Sequence, residues 1–154
     1  MRHLAPRARW DGTDIDVKAI EWCARHLTFA AFTLSRELPP VDYPADTFDL
    51  IYAVSVFTHL DEDHQFRWLE ELCRVARPGA TVVLTLHSAR HGEGFQFEHS
   101  YERGLFPPWY QNAYHSESYV RERFGRYFAV LSYLPKGLHA QQDVVVLEKR
   151  RATS

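Results

Sequence analysis

The feature that most constrains the fold is a strand–helix–strand pattern in the middle of the chain. A nearly continuous apolar run over residues 48–57 ends at a polar connection, and a second apolar run covers residues 81–86. Between them, Asp61 is a good N-cap for a helix over about 62–76, which Pro78 and Gly79 should end. Strands this uniformly apolar are expected to be buried on both faces, as in a parallel sheet covered by helices.

The segment before this unit predicts one more βα repeat. A short strand begins near Arg9, and Asp16 is a good N-cap for a helix over 17–27 with a one-sided apolar stripe. Residues 28–34 form a plausible second strand, and prolines then impose an extended loop. The amino-terminal part is therefore expected to be β-α-β.

The carboxyl-terminal part predicts a different connection. A short helix over about 117–124 is followed by strand-like runs over 127–134 and 143–149. The segment between these runs is too short for a helical crossover, so the two strands should pair antiparallel. The chain as a whole predicts one α/β domain over 1–154, with a mostly parallel sheet ending in an antiparallel hairpin.

Composition limits the partners. A net charge of −2 in 154 residues gives no reason to expect nucleic acid as the main partner. No apolar run is long enough for a membrane span, and Cys23 and Cys73 fit no metal or redox spacing. His59, Asp61, Asp63 and His64 match no metal-ligand motif, so no metal is predicted. These observations favour a soluble, cytoplasmic protein.

This order of elements resembles class I S-adenosylmethionine-dependent methyltransferases, which have a Rossmann-like, doubly wound sheet with a terminal antiparallel hairpin. The resemblance covers residues 9–149, and the stretch from Phe48 to Leu86 resembles the family's central β4–helix–β5 unit. It implies S-adenosyl-L-methionine as cofactor. It also implies methyl transfer by in-line displacement to a small-molecule acceptor, a reaction that depends chiefly on positioning.

The resemblance also implies a cofactor site. Residues 12–16 are similar to the family's second motif, in which Asp14 would hold the ribose hydroxyls and Ile15 would pack on the adenine. Ala53, Val54 and Ser55, at the carboxyl end of the strand expected over residues 48–57, would line the methionine part of the cofactor. The alternatives are that Asp14 only forms a turn and that residues 53–55 are ordinary buried strand.

The acceptor side is predicted in two places. The irregular, aromatic-rich segment 90–115 is interpreted as a lid over the substrate, because long irregular segments are often functional. Its candidate substrate contacts are Trp109, Tyr110, Tyr114 and His115, and the alternative is that these side chains only pack a surface loop. His59 follows a strand end and is a candidate general base, the alternative being a plain strand-to-helix connection.

One expected part of the family pattern is missing. No glycine opens a first strand–turn–helix, so the fold is expected to lack its first central strand. We therefore expect that residues upstream of Met1 belong to the natural protein, or that a complementing N-terminal segment is required, and that the chain alone is unstable or rearranged.

The sequence is also compatible with two other functions. The first is a non-catalytic remnant or interaction module with the same fold. The second is a nicotinamide-dependent oxidoreductase, since an acidic residue at the second strand end also suits that cofactor. The terminal hairpin and the absence of a Tyr-x-x-x-Lys pair argue against the second.

Overall fold

The structure is a computed structural model that describes residues 8–99 and 107–151. The chain divides into two compact units, Met1–Val41 and Asp42–Ser154. The single methyltransferase-like domain expected over 1–154 stays a prediction.

The first unit is a βαβ element. It consists of β1 (Asp11–Asp14), α1 (Val17–His26) and β2 (Ala31–Leu34), and the two strands pair in parallel from Asp11↔Ala31 to Asp14↔Leu34. The helix begins where predicted because the Asp16 carboxylate accepts hydrogen bonds from the backbone amides of Lys18 and Ala19.

Within the described residues, the second unit is a six-stranded mixed sheet with two α-helices and one short 3-10 helix, Phe124–Arg126. Five strands follow the order β5-β6-β4-β8-β7, and β3 pairs with β4 outside that path. The elements, in chain order, are β3 (Phe48–Ala53), α2 (Glu62–Val75), β4 (Ala76–Ser88), β5 (Phe95–Glu98), β6 (Asn112–His115), α3 (Glu117–Arg123), β7 (Ala129–Leu138) and β8 (Gln142–Glu148).

The long strand β4 is the centre of this sheet. It pairs in parallel with β3 and antiparallel with β8, and its last residues pair in parallel with β6. Val82, Leu84 and Leu86 alternate along it and have no exposed surface. They pack with buried side chains of the helices and of β8, among them Leu69, Val120, Phe124, Val145 and Leu147.

Several predictions for this unit are confirmed. The helix expected over 62–76 is α2, capped by the Asp61 carboxylate, which accepts from the backbone amide of His64. The two last strands form the expected antiparallel hairpin, β7–β8. The strand expected over 81–86 is the middle of β4, which already begins at Ala76, directly after the helix.

The prediction that residues 90–115 are irregular is wrong in part, and their role as a lid over the substrate stays a prediction. β5 and β6 form an antiparallel ladder from Phe95↔His115 to Glu98↔Asn112, and residues 100–106 lie outside the described residues. Each strand has only four residues. A run that short carries too little alternation to be distinguished from a loop by sequence.

The prediction that the strand at 48–56 is buried on both faces is also wrong. Within the described residues β3 hydrogen-bonds only with β4, and the alternating residues Leu50, Tyr52, Val54 and Val56 are 41–52% exposed. Similarly, β1 pairs only with β2 among those residues. An apolar edge strand of this kind is an available partner for another strand, and the complementing N-terminal segment stays a prediction.

The β7–β8 hairpin is held by a buried carboxylate. Asp143 is 1% exposed and accepts hydrogen bonds from Ser88 Oγ at 2.7 Å, Tyr133 Oη at 2.5 Å and the Lys136 amide at 2.8 Å. Burial, and then the hydrogen bond to Asp143, raises the pKa of Tyr133. Three donors, one on β4 and two on β7, therefore depend on one side chain of β8.

We expect Asp143→Ala to lower the free energy of unfolding by about 2–4 kcal/mol, because three partly buried hydrogen bonds to one buried carboxylate are lost. The measurement is urea denaturation near neutral pH. Gln141→Ala, at a neighbouring exposed position, is the control and should change stability by less than about 0.5 kcal/mol. Equal effects of the two substitutions would contradict this account.

Candidate functional site

Asp14 lies at the carboxyl end of β1, as predicted. Its Oδ1 accepts the backbone amide of Asp16 at 2.9 Å, which is the turn contact that the sequence also allowed. Asp14 is exposed, and its Oδ2 has no hydrogen-bond partner among the described residues. The following residue, Ile15, is 48% exposed. This strand end therefore presents one open carboxylate oxygen and one open apolar side chain.

Residues 53–55 lie at the carboxyl end of β3. Ala53 is the last residue of the strand, while Val54 and Ser55 follow it and are exposed. Ser55 has a positive φ of 57°. Its amide donates to Thr85 Oγ1 at 2.8 Å, and its hydroxyl accepts from the Gln142 side-chain amide at 2.9 Å. The alternative reading of residues 53–55 as buried strand is excluded for Val54 and Ser55.

The loop after β3 is clamped from two sides. Thr58, His59 and Asp61 exchange backbone hydrogen bonds with the segment 109–113, and Leu60 forms an antiparallel bridge with Tyr110. On the other side, the fully buried Gln65 of α2 donates to the carbonyls of Phe57 and Leu60. His59 is therefore held in a defined place and is not part of a freely moving connection.

The hydrogen bond of His59 defines its tautomer. Nδ1 lies 2.8 Å from the backbone oxygen of Gln111. Because a carbonyl oxygen only accepts, Nδ1 must carry the proton, and in the neutral imidazole Nε2 then has the free lone pair. His59 is half-buried, and the structure therefore gives it the arrangement that a general base requires.

Two of the predicted aromatic contacts lie beside this loop. Tyr110 stacks on the His59 ring with centroids 4.8 Å apart. Trp109 stacks on the ring of His64 with centroids 4.9 Å apart. The rings of Trp109 and Tyr110 meet edge to face. Both side chains are half-buried. The structure therefore brings His59, Trp109 and Tyr110 together.

Tyr114 and His115 point away from solvent. Tyr114 is 8% exposed, and Arg90 lies over its ring at 4.6 Å. His115 has no exposed surface, and its Nε2 lies 2.9 Å from Oε1 of Gln65. The structure does not place His115 with Trp109 and Tyr110, and instead joins it to the same Gln65 that holds the loop of His59.

A histidine that sequence reasoning missed lies in the same region. His87, near the carboxyl end of β4, packs edge to face on His59 with centroids 6.0 Å apart and contacts the ring of Tyr114. Its burial, and then the neighbouring His59, lowers the pKa of His87. A signal was present, because His87 directly follows the second apolar run, where parallel strands present ligand-facing residues.

The described residues contain no group of three or more His, Cys, Asp or Glu side chains arranged to hold a metal ion. In the same part of the chain, no helix has the length and apolar character needed to cross a membrane.

His115 gives a pH-dependent prediction. Burial lowers the pKa of His115 from 6.5 to about 3. Between these two values the unfolded chain binds a proton that the folded chain does not, so stability falls as the pH decreases through this window. This one group contributes a slope of at most about 1.4 kcal/mol per pH unit.

We therefore expect His115→Asn to flatten the dependence of the unfolding free energy on pH between about pH 7 and pH 5. Urea denaturation at several pH values measures the slope. The control is His91→Asn, at an exposed position, which should keep the wild-type slope. If His115→Asn also keeps that slope, His115 is protonated in the folded protein and the argument fails.

The comparisons with known proteins were consistent with one another. Residues 1–79 match the family model for the methyltransferase domain. This match includes the strand ends with Asp14 and Ser55, as well as His59.

Solved structures similar to this chain cover nearly all of it. A SAM-dependent methyltransferase from Methanosarcina mazei superimposes with a TM-score of 0.72 at 18% identity, over 97% of this chain and 85% of that one. The complex of DhpI with SAH gives 0.69 at 18% identity, over 97% and 70%. The 1,6-didemethyltoxoflavin-N1-methyltransferase of Burkholderia thailandensis, with 1,6-didemethyltoxoflavin and S-adenosylhomocysteine bound, gives 0.70 at 13%, over 92% and 61%.

Proposed function

The chain belongs to the methyltransferase domain family, and from this premise we propose that it transfers a methyl group from S-adenosylmethionine to a small-molecule acceptor. The predicted class I methyltransferase fold, Rossmann-like with an antiparallel terminal hairpin, is confirmed. The observation that carries the proposal lies within the second unit, where the exposed turn at the carboxyl end of β3 is followed by the held His59, because ligands bind at such strand ends in sheets of this type.

The adenosine part is assigned to the end of β1. Asp14 uses Oδ1 for the Asp16 amide, which orients the carboxylate and leaves Oδ2 for a ribose hydroxyl. Ile15 offers exposed apolar surface to the adenine. One contact thus builds the turn and prepares the side chain for the ligand, so the two readings of Asp14 are compatible.

The methionine part is assigned to Ala53, Val54 and Ser55. After Ala53, Val54 and Ser55 are exposed, and the side chain of Ser55 is small. When bound, S-adenosylmethionine supplies an activated methyl group on a sulfonium, and the bond to sulfur breaks as the acceptor lone pair forms the new bond. The protein's part is to hold the two reactants in line and to keep the acceptor at attack distance.

His59 is assigned to the acceptor side. An oxygen or nitrogen acceptor that must lose a proton needs a base with an available lone pair, and Nε2 of His59 has one when Nδ1 donates to the Gln111 carbonyl. Tyr110, stacked on the same ring, and Trp109 offer apolar surface for a flat acceptor. His115, being buried, is assigned a supporting role through Gln65.

Two observations favour a small acceptor. Aromatic side chains next to a polar group are typical of small-molecule sites. One solved structure with this fold binds 1,6-didemethyltoxoflavin, a small molecule. Membership of the methyltransferase family argues against the nicotinamide alternative. A non-catalytic module of the same fold predicts that no methyl transfer occurs.

Asp14→Asn tests the cofactor assignment. We expect it to weaken binding of S-adenosylhomocysteine by about tenfold to a hundredfold, because a charged acceptor of a ribose hydroxyl is replaced by a neutral one. Titration calorimetry measures the affinity. Glu21→Gln, on exposed α1 of the same unit, removes the same charge and should leave the affinity unchanged. Equal affinities for Asp14→Asn and wild type would assign Asp14 to the turn alone.

His59→Asn tests the acceptor side. Asparagine keeps a nitrogen donor for the Gln111 carbonyl but removes Nε2, so kcat should fall by about 10²–10⁴-fold for acceptors that lose a proton. The assay follows label from S-[methyl-¹⁴C]adenosylmethionine into a panel of phenols and nitrogen heterocycles, with protein and RNA as competing acceptor classes. Affinity for S-adenosylhomocysteine should not change.

The matched control is His139→Asn, in the exposed β7–β8 turn, where the positive φ also suits asparagine. It should retain full activity. Methyl transfer to protein or RNA only would overturn the small-molecule proposal, and no transfer to any class would favour the non-catalytic module.

A further inference from the structure

Ser55 has a backbone conformation that its residue type disfavours. A φ of 57° lies in the left-handed region, where a Cβ is crowded and glycine is preferred. Such residues persist only where the surrounding structure holds them, and they occur preferentially at functional sites. Ser55 lies two residues beyond Ala53, the last residue of β3, and belongs to the segment assigned to the cofactor.

The contact that holds this conformation comes from the neighbouring strand. Thr85 of β4 is 3% exposed, and its Oγ1 accepts the Ser55 amide at 2.8 Å. Parallel pairing of β3 with β4 ends at Ala53↔Leu84, so the next residue of β4 is the first whose side chain can bond the chain beyond β3. The hydroxyl of Thr85 replaces a backbone partner where the ladder stops.

A second contact comes from β8. The Gln142 side-chain amide donates to Ser55 Oγ at 2.9 Å. Gln142 directly precedes Asp143, the buried carboxylate of the hairpin. The conformation of Ser55 is therefore tied to two strands of the sheet.

We propose that Thr85 is a positioning residue, which holds Ser55 in the left-handed conformation and thereby places the end of β3 for the bound cofactor. This inference rests on the proposed function for the identity of the ligand. Thr85 itself is buried and is not assigned a contact with substrate or cofactor. Its action is through the backbone of Ser55.

The test is a double-mutant cycle with Thr85→Val and Ser55→Gly. Valine keeps the shape of threonine and removes the hydroxyl, so residue 55 is released and the affinity for S-adenosylhomocysteine should fall by at least about tenfold. Glycine adopts a positive φ without help. The affinity of the double variant for S-adenosylhomocysteine should therefore be within about threefold of the affinity of the Ser55→Gly protein.

Two further variants make the result specific. Thr85→Ser keeps the hydroxyl and should bind like wild type. Thr81→Val makes the same substitution on the same face of β4, at a side chain with no hydrogen bond among the described residues, and should also bind like wild type. If Thr85 acts by packing alone, Thr85→Val lowers the affinity for S-adenosylhomocysteine equally in the wild-type and Ser55→Gly backgrounds. That result would overturn the inference.

Melting temperatures separate this inference from the proposed function. If Thr85 holds Ser55, Ser55→Gly raises the melting temperature of the Thr85→Val protein more than that of wild type. Failure of wild type to bind S-adenosylhomocysteine would overturn the proposed function. In that case, non-additive effects of Thr85→Val and Ser55→Gly on the melting temperature would still support the backbone role of Thr85. Additive effects would overturn that role as well.

Discussion

The parallel hydrogen bonding between β3 and β4 is the interaction on which the second unit depends. It brings the carboxyl ends of these strands to one edge of the sheet, with Ser55 beyond one end and His87 near the other. The core residues that alternate along β4 bury one face of the sheet against α2 and α3. A shift of one residue in this register would turn Val82, Leu84 and Leu86 out of the core, so the same register determines both stability and the position of the candidate site.

Polar side chains, not apolar packing alone, determine the shape of the region around His59. Gln65 is completely buried, and its three contacts join the carbonyls of Phe57 and Leu60 to the ring of His115. Asp143 performs a similar task for the terminal hairpin. Buried polar groups are costly unless each finds its partner. A region built around them therefore has one favoured arrangement, which suits a function that depends on positioning.

Local signals allowed most of the fold to be predicted from sequence. Asp16 and Asp61 cap the helices that the sequence indicated, and the terminal hairpin followed from the length of its connection. Strand ends were also recognisable, so Asp14, Ser55 and His59 could be named as candidates. The β5–β6 ladder was missed because four-residue strands have too little periodicity. The exposure of one face of β3 was missed because an apolar run does not indicate how many neighbours a strand has.

What the sequence determined by itself is therefore the type and order of most elements and the residues at their ends, because caps, turns and hydrophobic periodicity act over a few neighbouring residues. Only the tertiary structure decided which of these residues meet. It placed His115 in the interior, brought His87 onto His59, gave His59 its tautomer through Gln111, and tied Ser55 to Thr85. Each of these contacts joins residues far apart in the chain, and such pairs are set by strand register and burial, which no local pattern encodes.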